Sequence, residues 1–188
     1  MRPWPATASW TADGLSIAGR PAAELAEEHG TPLVVVDEDD VRSRCREFNA
    51  AFDRALWAVK AFPVAGLIRV AADEGLGLLA ATGGEVEACL RAGVRPDRIM
   101  LHGNNKSDGE LALAVEAGVG LVSIDNEEEV DRLAEAASAA GRAQDVLLRV
   151  IPGVDADTHE YVKTGMTDTK FGMPVPDALS ALKRAIAV

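Results

Sequence analysis

The stretch Leu56-Trp57-Ala58-Val59-Lys60-Ala61-Phe62-Pro63 decides how the chain is read. Trp57 and Val59 are strand formers, Leu56 and Ala58 are apolar as well, and a run apolar on both faces suits a parallel strand covered on each side. The run ends on a lysine. Pro63 then predicts the opening of a helix, because proline suits the first helical position. Lys60 therefore stands where strand becomes loop, and two readings of it are open. Its stem can pack while the ammonium reaches water, or its amine can serve as a Schiff-base nucleophile.

Outward from Leu56, strands and helices alternate. Candidate strands centre on Ala58, Leu78, Met100, Val122 and Leu148, with helices predicted over 63–74, 84–92, 108–117, 126–140 and 176–187. The first helix carries Val64, Leu67, Ile68 and Ala71 on one face, and Gly75 lies just past its end. Thr82-Gly-Gly-Glu85, Ser107-Asp-Gly-Glu110 and Asp125-Asn-Glu-Glu128 each place a capping side chain three residues before a glutamate. Gly93, Gly118 and Gly141 stop those helices. Strand spacings of about twenty to twenty-six residues argue for parallel βα units. The expected fold class is α/β, a partial (β/α)8 TIM-type barrel of about five units, where a closed barrel has eight. Its functional face gathers Lys60, Thr82 to Glu85, His102 to Lys106, Ser123 to Asp125 and Ile151 to Glu160. A doubly wound sheet is the rival, but GxGxxG is missing after the first strand.

Upstream of Leu56, residues 1–20 hold Trp4, Trp10, Pro3 and Pro5 and predict an extended arm. A short helix follows over 21–28, then Thr31-Pro-Leu-Val-Val-Val36, which predicts a strand. Asp37-Glu-Asp-Asp40 reads as a solvated helix start whose carboxylates favour the positive end of the dipole of a helix over 41–53.

Thirty acidic against nineteen basic residues give a net charge of -11, and the pI is about 4.7. That sign excludes gripping nucleic acid or an anionic membrane surface. The 48% apolar content supports a packed core, and no apolar run is long enough to span a bilayer, so a cytoplasmic setting is expected. Cys45 and Cys89 lack CxxC spacing and read as reduced thiols.

Several loops have competing readings. Leu101-His-Gly-Asn-Asn-Lys-Ser107 either binds an anion at a helix start or is a tight structural loop. Thr82-Gly-Gly-Glu85 either cradles a phosphate or simply caps a helix. Asp155, Asp157, His159 and Glu160 cluster without HExxH or calcium-loop spacing, so no metal is expected, and a loop shaping a substrate pocket fits better.

Taken in order, these pieces resemble one family. Trp57-Ala-Val-Lys60-Ala-Phe is similar to its Tyr-Ala-x-Lys-Ala-Phe motif, and Gly75-Leu-Gly-Leu with Gly83-Gly-Glu to its second strand and turn. Leu101-His-Gly-Asn-Asn-Lys-Ser107, Pro152-Gly-Val, Thr158-His-Glu160 and Thr169-Lys-Phe-Gly172 follow at suitable spacing. The family is diaminopimelate decarboxylase, a fold-type III decarboxylase using pyridoxal 5'-phosphate. The resemblance implies that Lys60 holds the cofactor covalently, with Arg149 and His102 beside it, and that meso-2,6-diaminopimelate is decarboxylated to L-lysine. In an apolar pocket at a strand end, Lys60 would give up its proton more readily. Departures are Leu79 where the family has Asp, Thr82 where it has Ser, and Trp57 where it has Tyr.

The resemblance further implies two parts. Residues 1–40 form an arm and strand that pack with a C-terminal β domain, and residues 41–188 form an incomplete cofactor-binding barrel. The later barrel strands and the β domain fall outside this sequence. The whole enzyme is expected to be a homodimer, or this part to associate with a C-terminal half. Rival expectations are a noncatalytic remnant or complementing half, and a small pyridoxal phosphate carrier protein.

Overall fold

The computed structural model describes residues 4–12, 14–152 and 171–188. At its centre is a five-stranded, wholly parallel sheet of β4 (Leu56–Ala58), β5 (Gly77–Ala80), β6 (Ile99–Leu101), β7 (Leu121–Ile124) and β8 (Val146–Leu148), in sequence order. Parallel neighbours need crossovers, and helices supply them. These are α3 (Ala65–Asp73), α4 (Gly83–Arg91), α5 (Asp108–Ala117) and α6 (Glu127–Ala140). α2 (Glu38–Ala51) packs on α3, and α7 (Val175–Ala187) packs on α6, so the helices form an outer row. The expected partial barrel of five units is therefore observed.

The core lies between strands and helices. Leu78, Ile99, Leu101, Val122 and Ile124 meet Ile68, Val86, Leu111 and Leu133 there, all almost without solvent exposure. Alternation along β5 buries Leu78 and Ala80 on this side and leaves Leu79 half-buried on the other, in one row with Ala58 and Met100. Leu79 thus occupies the inner face of the arc.

Helix entries follow local chemistry. Thr82 Oγ1 accepts the Glu85 N–H at 3.2 Å, and Ser107 and Glu110 form a reciprocal capping box. At α6 the predicted register is off by one: Asn126, not Asp125, is the cap, accepting the Glu129 N–H at 3.0 Å. Gly118 and Gly141 end α5 and α6 in the left-handed conformation, as expected of C-terminal glycines.

Three further expectations are corrected. Pro63 does not open a helix; Val59–Ala61 form a 3-10 turn, and α3 starts at Ala65. Proline forces the preceding residue out of the helical region, and Phe62 is extended at φ -163 and ψ 89. Residues 31–36 form no strand, and Val34 is 75% exposed, because β propensity needs a neighbouring strand to be expressed. The strand centred on Leu148 breaks at Arg149 into β8 and β9 (Val150–Ile151), the latter pairing with β10 (Met173–Pro174).

The arm is extended as expected and folds into a small antiparallel sheet of β1 (Ser9–Thr11), β2 (Gly14–Ile17) and β3 (Arg20–Pro21), followed by α1 (Ala22–His29). Asp37 joins it to α2, accepting the Thr7 hydroxyl and the N–H groups of Asp39 and Asp40. The acidic turn is a helix start. Cys45 and Cys89 are free and buried. No helix among the described residues is long and apolar enough to cross a membrane.

Candidate active site at the strand ends

Because the five strands are parallel, the residues that follow them meet at one edge. Lys60 sits in the 3-10 turn directly after β4, and its side chain is exposed at this edge. The apolar enclosure expected around it is not found among the described residues. His102 directly follows β6, and its backbone N–H continues the ladder to Ala80 O at 2.8 Å. Arg149 follows β8 in the same way, with its N–H on Ile124 O at 2.9 Å.

His102 Nε2 is buried without a hydrogen-bond partner among the described residues. Burial first, and then the positive charges of Lys60 and Arg149, push the imidazole below its ordinary range, against the opposing charge of Glu85. The charges of Lys60 and Arg149 thus both reach His102 at this edge. Arg149 Nη1 donates to Asp125 Oδ1 at 3.3 Å, and its guanidinium lies 4.8 Å from the centre of the Phe171 ring.

The Thr82 turn is structural at Gly83. The Gly83 N–H donates to Glu110 Oε1 at 2.8 Å and is not available to a phosphate. That bond and two from Ser107 hold the Glu110 carboxyl below its ordinary range. The His102 loop is pinned just as closely. A Cβ on Gly103 would stand 1.9 Å from Ala81 O, so only glycine fits, and Asn105 takes the left-handed conformation at φ 51.

The residue at the loop's end has a buried partner, Glu129, that the sequence did not disclose. Lys106 Nζ donates to Glu129 Oε2 at 2.8 Å, and the two side chains are 1% and 0% exposed. Glu129 also accepts the Asp125 N–H at 2.9 Å and the Lys106 N–H at 3.4 Å. Its signal in the sequence was faint: Glu129 immediately precedes Val130 and lies one turn before Leu133, both on the buried stripe of α6. Thr158, His159, Glu160 and the acidic cluster around Asp155 and Asp157 lie outside the described residues. Among the described residues no cluster suits a metal ion.

Residues 38–187 match the family model "Pyridoxal-dependent decarboxylase, pyridoxal binding domain". The chain belongs to this decarboxylase family. Within the family it is similar to diaminopimelate decarboxylase of Mycobacterium tuberculosis, 49% identical over 176 residues, covering 91% of this chain and 39% of that one. The counterpart in Mycobacterium leprae is 45% identical over 190 residues, covering 98% of this chain and 40% of that one. A crystal structure of diaminopimelate decarboxylase from M. jannaschii in complex with L-lysine superposes with a TM-score of 0.84 at 27% identity, covering 97% of this chain and 45% of that one. The chain thus spans about 40% of the length of the curated relatives it matches.

Proposed function

We propose that this chain is the cofactor-anchoring part of a diaminopimelate decarboxylase, holding pyridoxal 5'-phosphate through Lys60 and contributing to the conversion of meso-2,6-diaminopimelate to L-lysine. The observation that carries this reading is the convergence of Lys60, His102 and Arg149 on one strand-end edge in a member of the pyridoxal-dependent decarboxylase family. The residues suit such a group. Lys60 offers an accessible amine, His102 an unpartnered ring nitrogen, and Arg149 a guanidinium already oriented by Asp125.

When bound, the cofactor supplies a carbonyl for amines and a ring that takes up the electron pair released as carbon dioxide leaves. The chain's own residues do the rest. Lys60 would hold the cofactor at its carbonyl carbon, its nitrogen replacing the oxygen, which leaves as water; the neutral His102 imidazole would accept or donate one hydrogen bond at Nε2, and Arg149 would hold a negative oxygen. Borohydride reduction after incubation with pyridoxal phosphate tests this. A single adduct is expected, mapping by mass spectrometry to Lys60; an adduct spread over surface lysines contradicts it.

A second observation favours assembly with a polypeptide carrying the remaining βα units. Val175, Leu179, Leu182 and Ile186 form an exposed apolar stripe on α7, and Leu147 is 46% exposed on β8, which has no strand on its far side among the described residues. A cavity of about 590 Å3 lined by Val130, Leu133, Ala137, Val146 and Ala185 lies on the same side. In this reading decarboxylation belongs to the assembled protein, which is proposed to be a homodimer with residues 1–40 packed on the β domain. Carbon dioxide release from meso-diaminopimelate only on adding a C-terminal half supports it; release by the 188-residue chain alone contradicts it.

A further inference from the structure

We infer that Glu129 is a positioning residue, whose carboxylate ties the His102 loop to the Asp125 turn and so sets His102 and Arg149 for the cofactor beside Lys60. The inference rests on the cofactor reading above and names how that site is held. Glu129 stands in the first turn of α6, a place where acidic side chains ordinarily face water and the helix dipole. Here it is fully buried and receives donors from two loops. One loop carries His102, four residues before Lys106. The other carries Asp125, whose carboxylate holds Arg149.

The remaining pins explain why this tie matters. At its start the His102 loop is fixed by the His102 N–H on Ala80 O and by Gly103 against Ala81 O. At its end it is fixed by Lys106, through Glu129 inside and through Arg132, which donates to Lys106 O and to Asp108, outside. Only Asn104 and Asn105 lie between these points. A buried ion pair is a weak device for stability alone, because an apolar pair of similar volume usually serves as well. It does fix the relative position of the two loops it joins.

Two variants test the inference on the whole chain. Lys106→Met/Glu129→Gln removes both charges together, leaves no buried charge uncompensated, and keeps an amide oxygen for the Asp125 N–H. Glu129→Asp keeps the charge but shortens its reach. Measured well below the unfolding transition, a purely stabilising pair leaves pyridoxal phosphate affinity and the induced circular dichroism per bound cofactor at their original values, which overturns the inference. Positioning predicts an affinity loss of about tenfold or more, the scale on which removal of outer-shell partners acts at metal sites, together with weaker dichroism. Should the unaltered chain bind no pyridoxal phosphate, the cofactor reading fails separately, and the free protein decides. Movement of the His102 imidazole and Arg149 Nε–H resonances in Glu129→Asp, with His29 unmoved, supports positioning; unchanged resonances overturn it.

Discussion

Lys106 Nζ lies 2.8 Å from Glu129 Oε2 in a pair all but sealed from solvent, joining the loop after β6 to the first turn of α6. Removing one partner leaves the other charge buried and unpaired. Glu129→Gln and Lys106→Met should each lower stability by roughly 3 to 5 kcal/mol, and Lys106→Met/Glu129→Gln by less than their sum. Urea unfolding of the four proteins checks this; strict additivity would show that the pair is not coupled.

His102 introduces a dependence on mild acid. Its imidazole is held below the ordinary value of 6.5, so beneath that pH the unfolded chain binds the proton first. The contribution to stability is complete above about 6.5 and is lost as pH falls through the folded value. His102→Gln should flatten stability against pH over this window, as thermal unfolding at a series of pH values would show. An unchanged slope would mean that another group titrates there.

Glu74 acts further into acid. Bidentate contact with Arg46 and a bond from Arg42 hold its carboxyl down to about 2, and they fasten α2 to the end of α3. This contribution is present above the ordinary 4.5 and is lost as pH falls from there toward about 2. Glu74→Gln should lower stability at neutral pH and reduce the further loss across that acid range.

Gly103 has no room for a methyl group. A Cβ there would meet Ala81 O at 1.9 Å, so Gly103→Ala should cost about 1 to 3 kcal/mol by overpacking and should displace His102. Gly109→Ala, on α5 with open space around it, is the control and should be neutral to stabilising by up to about 1 kcal/mol in the same unfolding measurement.

How much of this was legible in the sequence depended on range. The five strands and their crossover helices could be read because periodicity and caps are local: Ser107 and Glu110 are three residues apart, and their capping box formed as expected. The Leu33 to Val36 run misled because strand formation depends on a partner, not on propensity alone. Pro63 misled because its constraint on Phe62 outweighed its fitness for a helix start. Lys60 was found at the strand end, but its exposure is set by tertiary packing, which no local pattern encodes. Glu129 was missed because three successive glutamates look like a solvated helix start, and its burial is set by Lys106, twenty-three residues away.

In the proposed function Lys60 anchors pyridoxal phosphate. The most direct measurement is titration of the purified chain with the cofactor while following its visible absorption, with Lys60→Ala alongside. A saturable band that forms with the unaltered chain and vanishes in Lys60→Ala is the predicted result. No band, or an equal band in both proteins, would contradict it.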